Sequence, residues 1–489
     1  MQASHDRMAT AQGALAGQTV WLLLIVALAA ALRLHDLTRT SLWLDEGFST
    51  AISSVMGTSF LRGILSDVHP PLYYILLHLW MALFGDGEWA LRALSVAFGV
   101  LTVPVLFRTG QLIGGDRLGL VAAALLAASP LHIQYSTEIR MYALLVLCAS
   151  GSIWGATRIA LAPGDRRAVL AGSVAYGVSA GCAMFTHAAG VFLLPACSTL
   201  ILAGWLFGGR PMSAVRPVVI THLVIGALLA ALLPLLFTLR RNFASTGWLA
   251  PPSLRSASEV FVALLGQRLA DIHPLAAIAG AAVVGLASLA GAWAWRRDPV
   301  RIAFIGAVLV LPFALTIAVS HVFQPVFILR VHVWAVLPLS IIAAAGILAA
   351  PRLWPRAALA SLVGLALSAG VVSYHALWSR PDWRGAARGI AASLAPEDII
   401  VVPRVVGVDA VMGFYAPGIG ERLTQIGDLD ALDRAAAEAR GRRVWVVTTF
   451  WHDRLPPAVV AERLSATHSA SETLALWRLR VQRWDPAPR

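Results

Sequence analysis

Eleven long runs of apolar residues, separated by short polar stretches, fill the first 375 residues of the chain. A helix rises about 1.5 Å per residue, so roughly 20 apolar residues cross the hydrocarbon core of a bilayer. Only 13% of the residues are charged, against about 25% in soluble proteins. The sequence therefore predicts a polytopic α-helical membrane protein. The predicted spans are about 14–32, 89–107, 118–131, 143–160, 168–185, 189–207, 217–237, 273–295, 302–320, 332–350 and 357–375.

The apolar stretch Leu72–Phe84 is the one ambiguous segment. Its 13 residues are short for a span, and they include His78 and two tyrosines. Helices of this length more often lie along the membrane interface or re-enter. We therefore predict an interfacial helix, and counting it as a span would invert the orientation of every later segment.

The distribution of arginine sets the predicted orientation. If Leu72–Phe84 does not span, one set of loops holds thirteen arginines and four acidic residues, whereas the opposite set holds nine of each. Arginine-rich loops remain in the cytoplasm. The sequence thus predicts 11 spans with a cytoplasmic N-terminus and an outward-facing C-terminus.

The sequence pattern changes after residue 375. Short apolar runs of strand type (Ile399–Val402, Val444–Thr449, Thr473–Leu479) alternate with helical stretches (Trp383–Leu394, Leu429–Ala439). This alternation is typical of an α/β fold. We predict a membrane domain over 1–375 and a small α/β domain over 376–489 on the outer side.

Unusual polar residues gather on the predicted outer side of the membrane. Charges beside a span are costly to desolvate, so such residues mark functional sites. The candidates are Asp45, Glu46, His69, Tyr73, Glu138, Arg140, Tyr142, His187, Arg240, Arg241 and Arg330.

Each candidate also has a structural interpretation that the sequence leaves open. Asp45 and Glu46 could belong to a solvated loop, and His69-Pro-Pro could be a rigid helix entry. Glu138 could pair with an arginine, and His187 could be a hydrogen-bonded core residue. The arginines at 240 and 241 could be snorkelling anchors. If 135–142 were helical, Tyr135, Glu138 and Tyr142 would share a face that excludes Arg140.

Three blocks in this order resemble the signatures of a known family. They are Trp43-Leu-Asp-Glu46, His69-Pro-Pro-Leu-Tyr-Tyr74 and Tyr135-Ser-Thr-Glu-Ile-Arg-Met-Tyr142. They are similar to motifs of bacterial GT-C glycosyltransferases, relatives of the protein O-mannosyltransferases and of the lipid A aminoarabinose transferase. The block Asp382-Trp-Arg-Gly-Ala-Ala387 before an α/β domain is also similar to many bacterial members.

The resemblance implies a sugar donor carried on a polyprenyl phosphate, used at the periplasmic face of the bacterial inner membrane. The implied acceptor is an envelope lipid, glycan or protein, with membrane lipids but no nucleic acid as further partners. By this similarity Asp45 is the general base, Glu46 its partner, and His69 lies near the donor phosphate. Arg330 resembles an Arg-Tyr element in which Val331 here replaces the tyrosine.

These residue types suit an inverting transfer. A carboxylate can take the acceptor's proton, and arginine or protonated histidine stabilises the departing phosphate. No cofactor is established, and a divalent ion bridging Asp45, Glu46 and the phosphate stays open. Two other functions stay open as well. One is a lipid-linked-sugar transporter or flippase, whose residues would lie near the bilayer midplane in repeated halves. The other is an inactive member that binds lipid in the same groove.

Overall fold

The computed structural model describes residues 2–162, 164–208, 212–246, 249–265, 273–439, 441–449 and 456–487. The chain divides into two compact units. The first, here called the helical unit, comprises Met1–His35, Gly57–Leu76 and Arg92–Leu377. The second, the sheet unit, comprises Asp36–Met56, Leu77–Leu91 and Trp378–Arg489.

The α-helices carry most of the chain and are numbered in chain order. They are α1 (Gln2–Leu34), α2 (Leu44–Ser53), α3 (Gly57–Ser66), α4 (Leu72–Phe84), α5 (Glu88–Gly114), α6 (Asp116–Ala127), α7 (Pro130–Ser136), α8 (Tyr142–Leu161), α9 (Arg166–Thr186), α10 (Leu193–Gly208), α11 (Met212–Thr246), α12 (Leu254–Leu264), α13 (Pro274–Trp295), α14 (Pro299–Phe304), α15 (Leu311–Val322), α16 (Val336–Ala349), α17 (Leu353–Val372), α18 (Trp383–Ser393), α19 (Val408–Tyr415), α20 (Leu429–Glu438) and α21 (Pro457–Ser465). A short 3₁₀ turn, Ala188–Phe192, precedes α10, and a π-helical turn, Ile305–Val310, joins α14 to α15.

Membrane spans dominate the described part of the chain. Nine of its helices are long and apolar enough to cross a bilayer, which confirms the predicted multi-pass helical architecture. The predicted span 118–131 is instead two helices, α6 and α7, bent by 62°. The predicted span 332–350 corresponds to the shorter apolar helix Val333–Ala349, which consists of a 3₁₀ turn (Val333–Ala335) followed by α16. The eleven predicted spans are thus nine long helices, one bent pair and one short helix. Helix α4, which was predicted not to span, is also short.

The bend between α6 and α7 has a local cause. Pro130 lacks a backbone N–H, and its ring disfavours helical backbone at the preceding residue. Ser129 accordingly has extended backbone and caps the new helix, accepting from the His132 N–H at 3.4 Å. The break leaves carbonyl groups at the end of α6 that need other donors.

Arg33, fully buried in the last turn of α1, supplies those donors. One guanidinium nitrogen donates to the Ala127 carbonyl at 3.1 Å and the other lies 2.7 Å from His132 Nδ1. Gly99 of α5 makes room for this contact, since a Cβ there would lie 2.2 Å from Ser136 Oγ and 3.2 Å from Arg33 Nε. Arg33 therefore stabilises the broken helix within the helical unit.

The sheet unit contains one five-stranded sheet in the order β2-β1-β3-β5-β4. Its strands are β1 (Ile399–Pro403), β2 (Leu423–Ile426), β3 (Val444–Thr449), β4 (His468–Leu476) and β5 (Leu479–Pro486). Strands β2, β1 and β3 are parallel, whereas β5 pairs antiparallel with β3 and β4. All six residues of β3 are buried, as expected of a central strand covered on both faces. The small C-terminal α/β fold predicted from the sequence is confirmed.

Replacing Arg33 by methionine should destabilise the helical unit. The change keeps an unbranched side chain but removes the Arg33 donor to the Ala127 carbonyl and to His132 Nδ1, at a cost of about 1–3 kcal/mol for each group. We expect a lower melting temperature of the detergent-purified protein. Arg108→Met is the matched control, because Arg108 is an exposed arginine in α5. Equal melting temperatures for the two variants would contradict the role given to Arg33.

Candidate active site

Asp45 and Glu46 form the first turn of α2 in the sheet unit. Glu46 is fully buried, and its Oε2 accepts from the Trp43 N–H at 3.2 Å, which caps the helix. It also forms a buried salt bridge with Arg380. Asp45 is only half-buried. The amide groups of a helix N-terminus favour negative charge in this first turn. The two neighbouring carboxylates thus have different surroundings.

Two histidines lie together in the helical unit. His69 precedes α4 and His187 lies between α9 and the following 3₁₀ turn. Their ring centroids are 4.8 Å apart, and both side chains are buried. His187 Nδ1 accepts from the Ala189 N–H at 3.0 Å, so the neutral ring carries its proton on Nε2. Among the described residues, His69 Nδ1 is buried without a hydrogen-bond partner.

Arg140 and Tyr142 adjoin this pair of histidines because the chain turns between α7 and α8. Residues 137–141 are not helical, so the helical face considered from the sequence does not form. Arg140 Cζ instead lies 6.0 Å from the centroid of the Tyr142 ring, which is 5.9 Å from the His187 ring. The turn therefore directs a buried arginine toward the histidines, which a continuous helix would not.

Tyr73 and Glu138 support this turn. The Tyr73 hydroxyl is 2.9 Å from Ser95 Oγ, which in turn donates to the Arg140 carbonyl at 3.4 Å. Glu138 is buried and accepts from Gln134 Nε2 at 3.2 Å. Both residues thus hold the segment that carries Arg140.

A cavity of about 240 Å³ opens beside the two histidines. Its polar lining residues are His69, His187, Arg240, Gln324 and Arg330. The other wall residues, from Val68 to Val331 along the chain, are apolar. Such a mixture of a few polar groups and apolar walls is typical of a small-molecule site.

Arg240 is fixed at the rim of this cavity. Its Nε donates to Gln324 Oε1 at 3.2 Å, and its Cζ lies 4.1 Å from the Phe323 ring centroid. Arg241 is exposed and is not among the residues that line the cavity. The two neighbouring arginines named from the sequence therefore have different environments.

The histidines are neutral at pH 7 because of their surroundings. Burial, followed by the positive charges of Arg330 and Arg140, lowers the pKa of His187 to about 3. Burial, His187 and the same arginines hold the pKa of His69 well below its usual value. The arginines therefore carry the positive charge of this site, while the histidines contribute hydrogen-bonding groups.

No group of three or more His, Cys, Asp or Glu side chains suited to a metal ion occurs within the described ranges. Glu46, one of the two carboxylates considered for metal binding, is engaged by Arg380 and by the Trp43 amide. These contacts suit a positioning role.

Eight predicted residues lie within one connected region of the helical unit or line its cavity. They are His69, Tyr73, Glu138, Arg140, Tyr142, His187, Arg240 and Arg330. Two residues outside the candidate list also have a place here, Gln324 as a lining residue and Arg380, which sequence reasoning missed, as the partner of Glu46. Arg380 lies two residues before the Asp382-Trp-Arg-Gly block, but no spacing links it to Glu46, 334 positions away.

The fold matches solved membrane proteins over nearly the whole chain. ArnT from Cupriavidus metallidurans bound to undecaprenyl phosphate has a TM-score of 0.60 at 16% identity, over 95% of this chain and 98% of that chain. Its apo form gives 0.61 with the same identity and coverage. The Archaeoglobus fulgidus oligosaccharyltransferase tethered with an acceptor peptide gives 0.55 at 12% identity, over 94% of this chain and 74% of that chain.

The sequence comparison is more local. Residues 68–237 match the family described as dolichyl-phosphate-mannose-protein mannosyltransferase. No curated protein matches the sequence. The chain is a multi-pass membrane protein with the GT-C fold, and the resemblance predicted from its three sequence blocks is confirmed.

Stability should fall on acidification through His187. Its folded-state pKa of about 3 lies below the ordinary value of 6.5, so the folded protein binds fewer protons than the unfolded chain between these values. The stability that His187 contributes is fully present above pH 6.5 and is lost as the pH falls from there toward about 3. At pH 5 the loss is about 2 kcal/mol, at 1.36 kcal/mol per pH unit.

Thermal unfolding of detergent-purified protein at pH 7.5 and pH 5 tests this linkage. His187→Gln should reduce the loss of stability between the two pH values. His321→Gln, which alters an exposed histidine, should leave the loss unchanged. The linkage is wrong if His187→Gln loses as much stability on acidification as the unaltered protein.

Proposed function

We propose that this chain is an inverting glycosyltransferase that moves a sugar from a polyprenyl-phosphate donor to an acceptor in the cell envelope. The observation that carries the proposal is the cavity of the helical unit, where arginine and histidine side chains meet apolar walls. A polyprenyl-phosphate sugar has the matching parts, an anionic phosphate and a long apolar chain. The related fold of an ArnT bound to undecaprenyl phosphate supports the same donor class.

Arg330 and Arg240 are the proposed phosphate-binding residues. Both line the cavity, and guanidinium groups form charge-assisted hydrogen bonds to phosphate oxygens. Arg140 adds positive charge close enough to lower the pKa of both histidines. His187 offers its Nε2–H as a neutral donor. An entering phosphate stabilises the protonated form of each histidine, so donor binding raises the pKa of both rings.

Asp45 is the proposed general base. A hydroxyl or amine of the acceptor attacks the anomeric carbon, a new bond forms there, and the carbon–oxygen bond to the phosphate breaks. The Asp45 carboxylate takes the proton of the acceptor. The polyprenyl phosphate leaves with the bonding electron pair, and cationic groups stabilise its negative charge. Attack on the face opposite the leaving group inverts the anomeric centre.

We place this reaction at the periplasmic face of the bacterial inner membrane. The arginine-rich loops favour a cytoplasmic N-terminus, and the odd number of predicted spans then puts the C-terminus outside. The acceptor belongs to the envelope lipids, glycans or proteins.

Asp45→Asn should slow transfer strongly while donor binding is kept. Loss of a general base costs about 10²–10⁴-fold in rate, and the asparagine is almost the same size as the aspartate. Purified protein is incubated with a panel of radiolabelled polyprenyl-phosphate sugars and with envelope lipid, glycan and protein fractions. Asp86→Asn, a change at an exposed aspartate, is the control. Transfer by Asp45→Asn at the rate of the control would exclude Asp45 as the base.

Arg330→Gln should weaken donor binding. Loss of a charge-assisted hydrogen bond costs about 1.5–3 kcal/mol, which is about 10–100-fold in Kd. Binding is measured with undecaprenyl phosphate as the rise in melting temperature at increasing lipid concentration. Arg255→Gln serves as control, since Arg255 is exposed and pairs with Glu259 at 3.0 Å. Equal affinities of the two variants would show that the donor phosphate does not bind in this cavity.

A further inference from the structure

Residues far apart in the sequence hold the segment that precedes α2. Ser41 Oγ donates to the Pro381 carbonyl at 2.7 Å and accepts from the Trp383 N–H at 3.2 Å. The N–H of Leu42 donates to the Tyr415 hydroxyl at 2.6 Å. The donor and the acceptor residues of these three hydrogen bonds all belong to the sheet unit. The approach to Asp45 is thus fixed by backbone and side-chain groups that come more than 300 positions later.

Helix α2 also packs against α19 at backbone distance. A Cβ on Gly47 would lie 2.8 Å from the Val411 nitrogen, and one on Gly407 would lie 2.4 Å from the Leu44 carbonyl oxygen. Gly407 has a φ of +86°, which favours glycine independently of the packing. The close approach restricts the first two turns of α2 from a second side.

The salt bridge between Glu46 and Arg380 completes this set of contacts. The two side chains are 0% and 4% exposed. Since Glu46 also accepts from the Trp43 N–H, the pair connects Arg380 to the backbone of the first turn of α2. Breaking a buried ion pair on one side leaves an uncompensated charge and is strongly destabilising. This turn therefore depends on Arg380 for its geometry.

We infer that Arg380 is a positioning residue for Asp45, acting through the buried Glu46 carboxylate and the first turn of α2. The inference rests on the proposed function, in which Asp45 is the base. A catalytic group must be held within about 0.5 Å of its productive position by neighbours that are themselves fixed. Asp45 is adjacent to Glu46 in the chain, so a shift of the paired residue shifts the base. Arg380 thereby acts on the reaction through the positions of Glu46 and Asp45.

Four variants test the inference: Arg380→Gln, Arg380→Lys, Glu46→Gln and the double variant Glu46→Gln/Arg380→Gln. We expect Arg380→Gln to lower kcat by about 100-fold, the effect of a displacement of roughly 1 Å. The donor KM should change by less than about threefold, because neither residue lines the proposed donor cavity. Arg380→Lys keeps the charge but not the planar fork, so its kcat should lie between those of Arg380→Gln and the unaltered protein.

The double variant separates positioning from simple loss of stability. It removes both buried charges, so it should fold with a higher melting temperature than either single variant. Its kcat should be no lower than that of the less active single variant, as expected for two residues that act as one unit. Arg404→Gln, at an exposed arginine of the same unit, should leave kcat and KM unchanged. A folded Arg380 variant with normal kcat, or with only a raised donor KM, would overturn the inference.

Hydrogen–deuterium exchange supplies a readout that does not depend on sugar transfer. Peptides covering residues 41–53 should exchange faster in both Arg380 variants than in the unaltered protein and in Arg404→Gln. If the unaltered protein transferred no sugar from any donor, the proposed function would fail. Faster exchange would still show that Arg380 holds the segment, whereas unchanged exchange over 41–53 would contradict the positioning role.

Discussion

The interior of a bilayer offers no water to backbone N–H and C=O groups, and the helical unit is built around that constraint. Continuous helices satisfy these groups internally wherever the chain is straight. At the bend between α6 and α7 they cannot, and the buried Arg33 guanidinium bonds the freed Ala127 carbonyl instead. Helix α7 follows this bend and ends at the non-helical turn 137–141, which brings Arg140 toward Tyr142. One buried arginine thus supports the backbone that positions another.

The electrostatics of the cavity suit an anion better than a proton relay. Its histidines are neutral, and its charge comes from arginines, which stay protonated at any physiological pH. The polar residues also lie at helix ends. His187 joins two spans, and His69 precedes α4. Transporters place their substrate sites near the bilayer midplane on interrupted helices. The position of His187 between two spans fits a site at the membrane surface, which favours the proposed transferase over the flippase.

The sequence predicted those parts of the fold that depend on local periodicity. The predicted spans fall largely on helical backbone, because a long apolar run in a bilayer admits few alternatives. The bend at Pro130 was missed, since a single proline within an apolar run does not reveal whether a helix kinks or ends. The predicted strand Thr473–Leu479 likewise crosses a hairpin at Arg478, whose φ is +57°. No glycine or asparagine marks that turn. The pairing of Glu46 with Arg380 depends on tertiary folding alone.

The adjacent carboxylates Asp45 and Glu46 form one sequence motif but have different environments. Taken alone, two neighbouring negative charges repel each other, and burial in a medium of low dielectric increases the cost. Arg380 compensates one of them, so that the first turn of α2 keeps a single net negative charge, which the helix N-terminus favours. The compensated residue is the buried one and the other is half-buried. A rigid, buried anchor beside a half-buried carboxylate suits the general base proposed for Asp45.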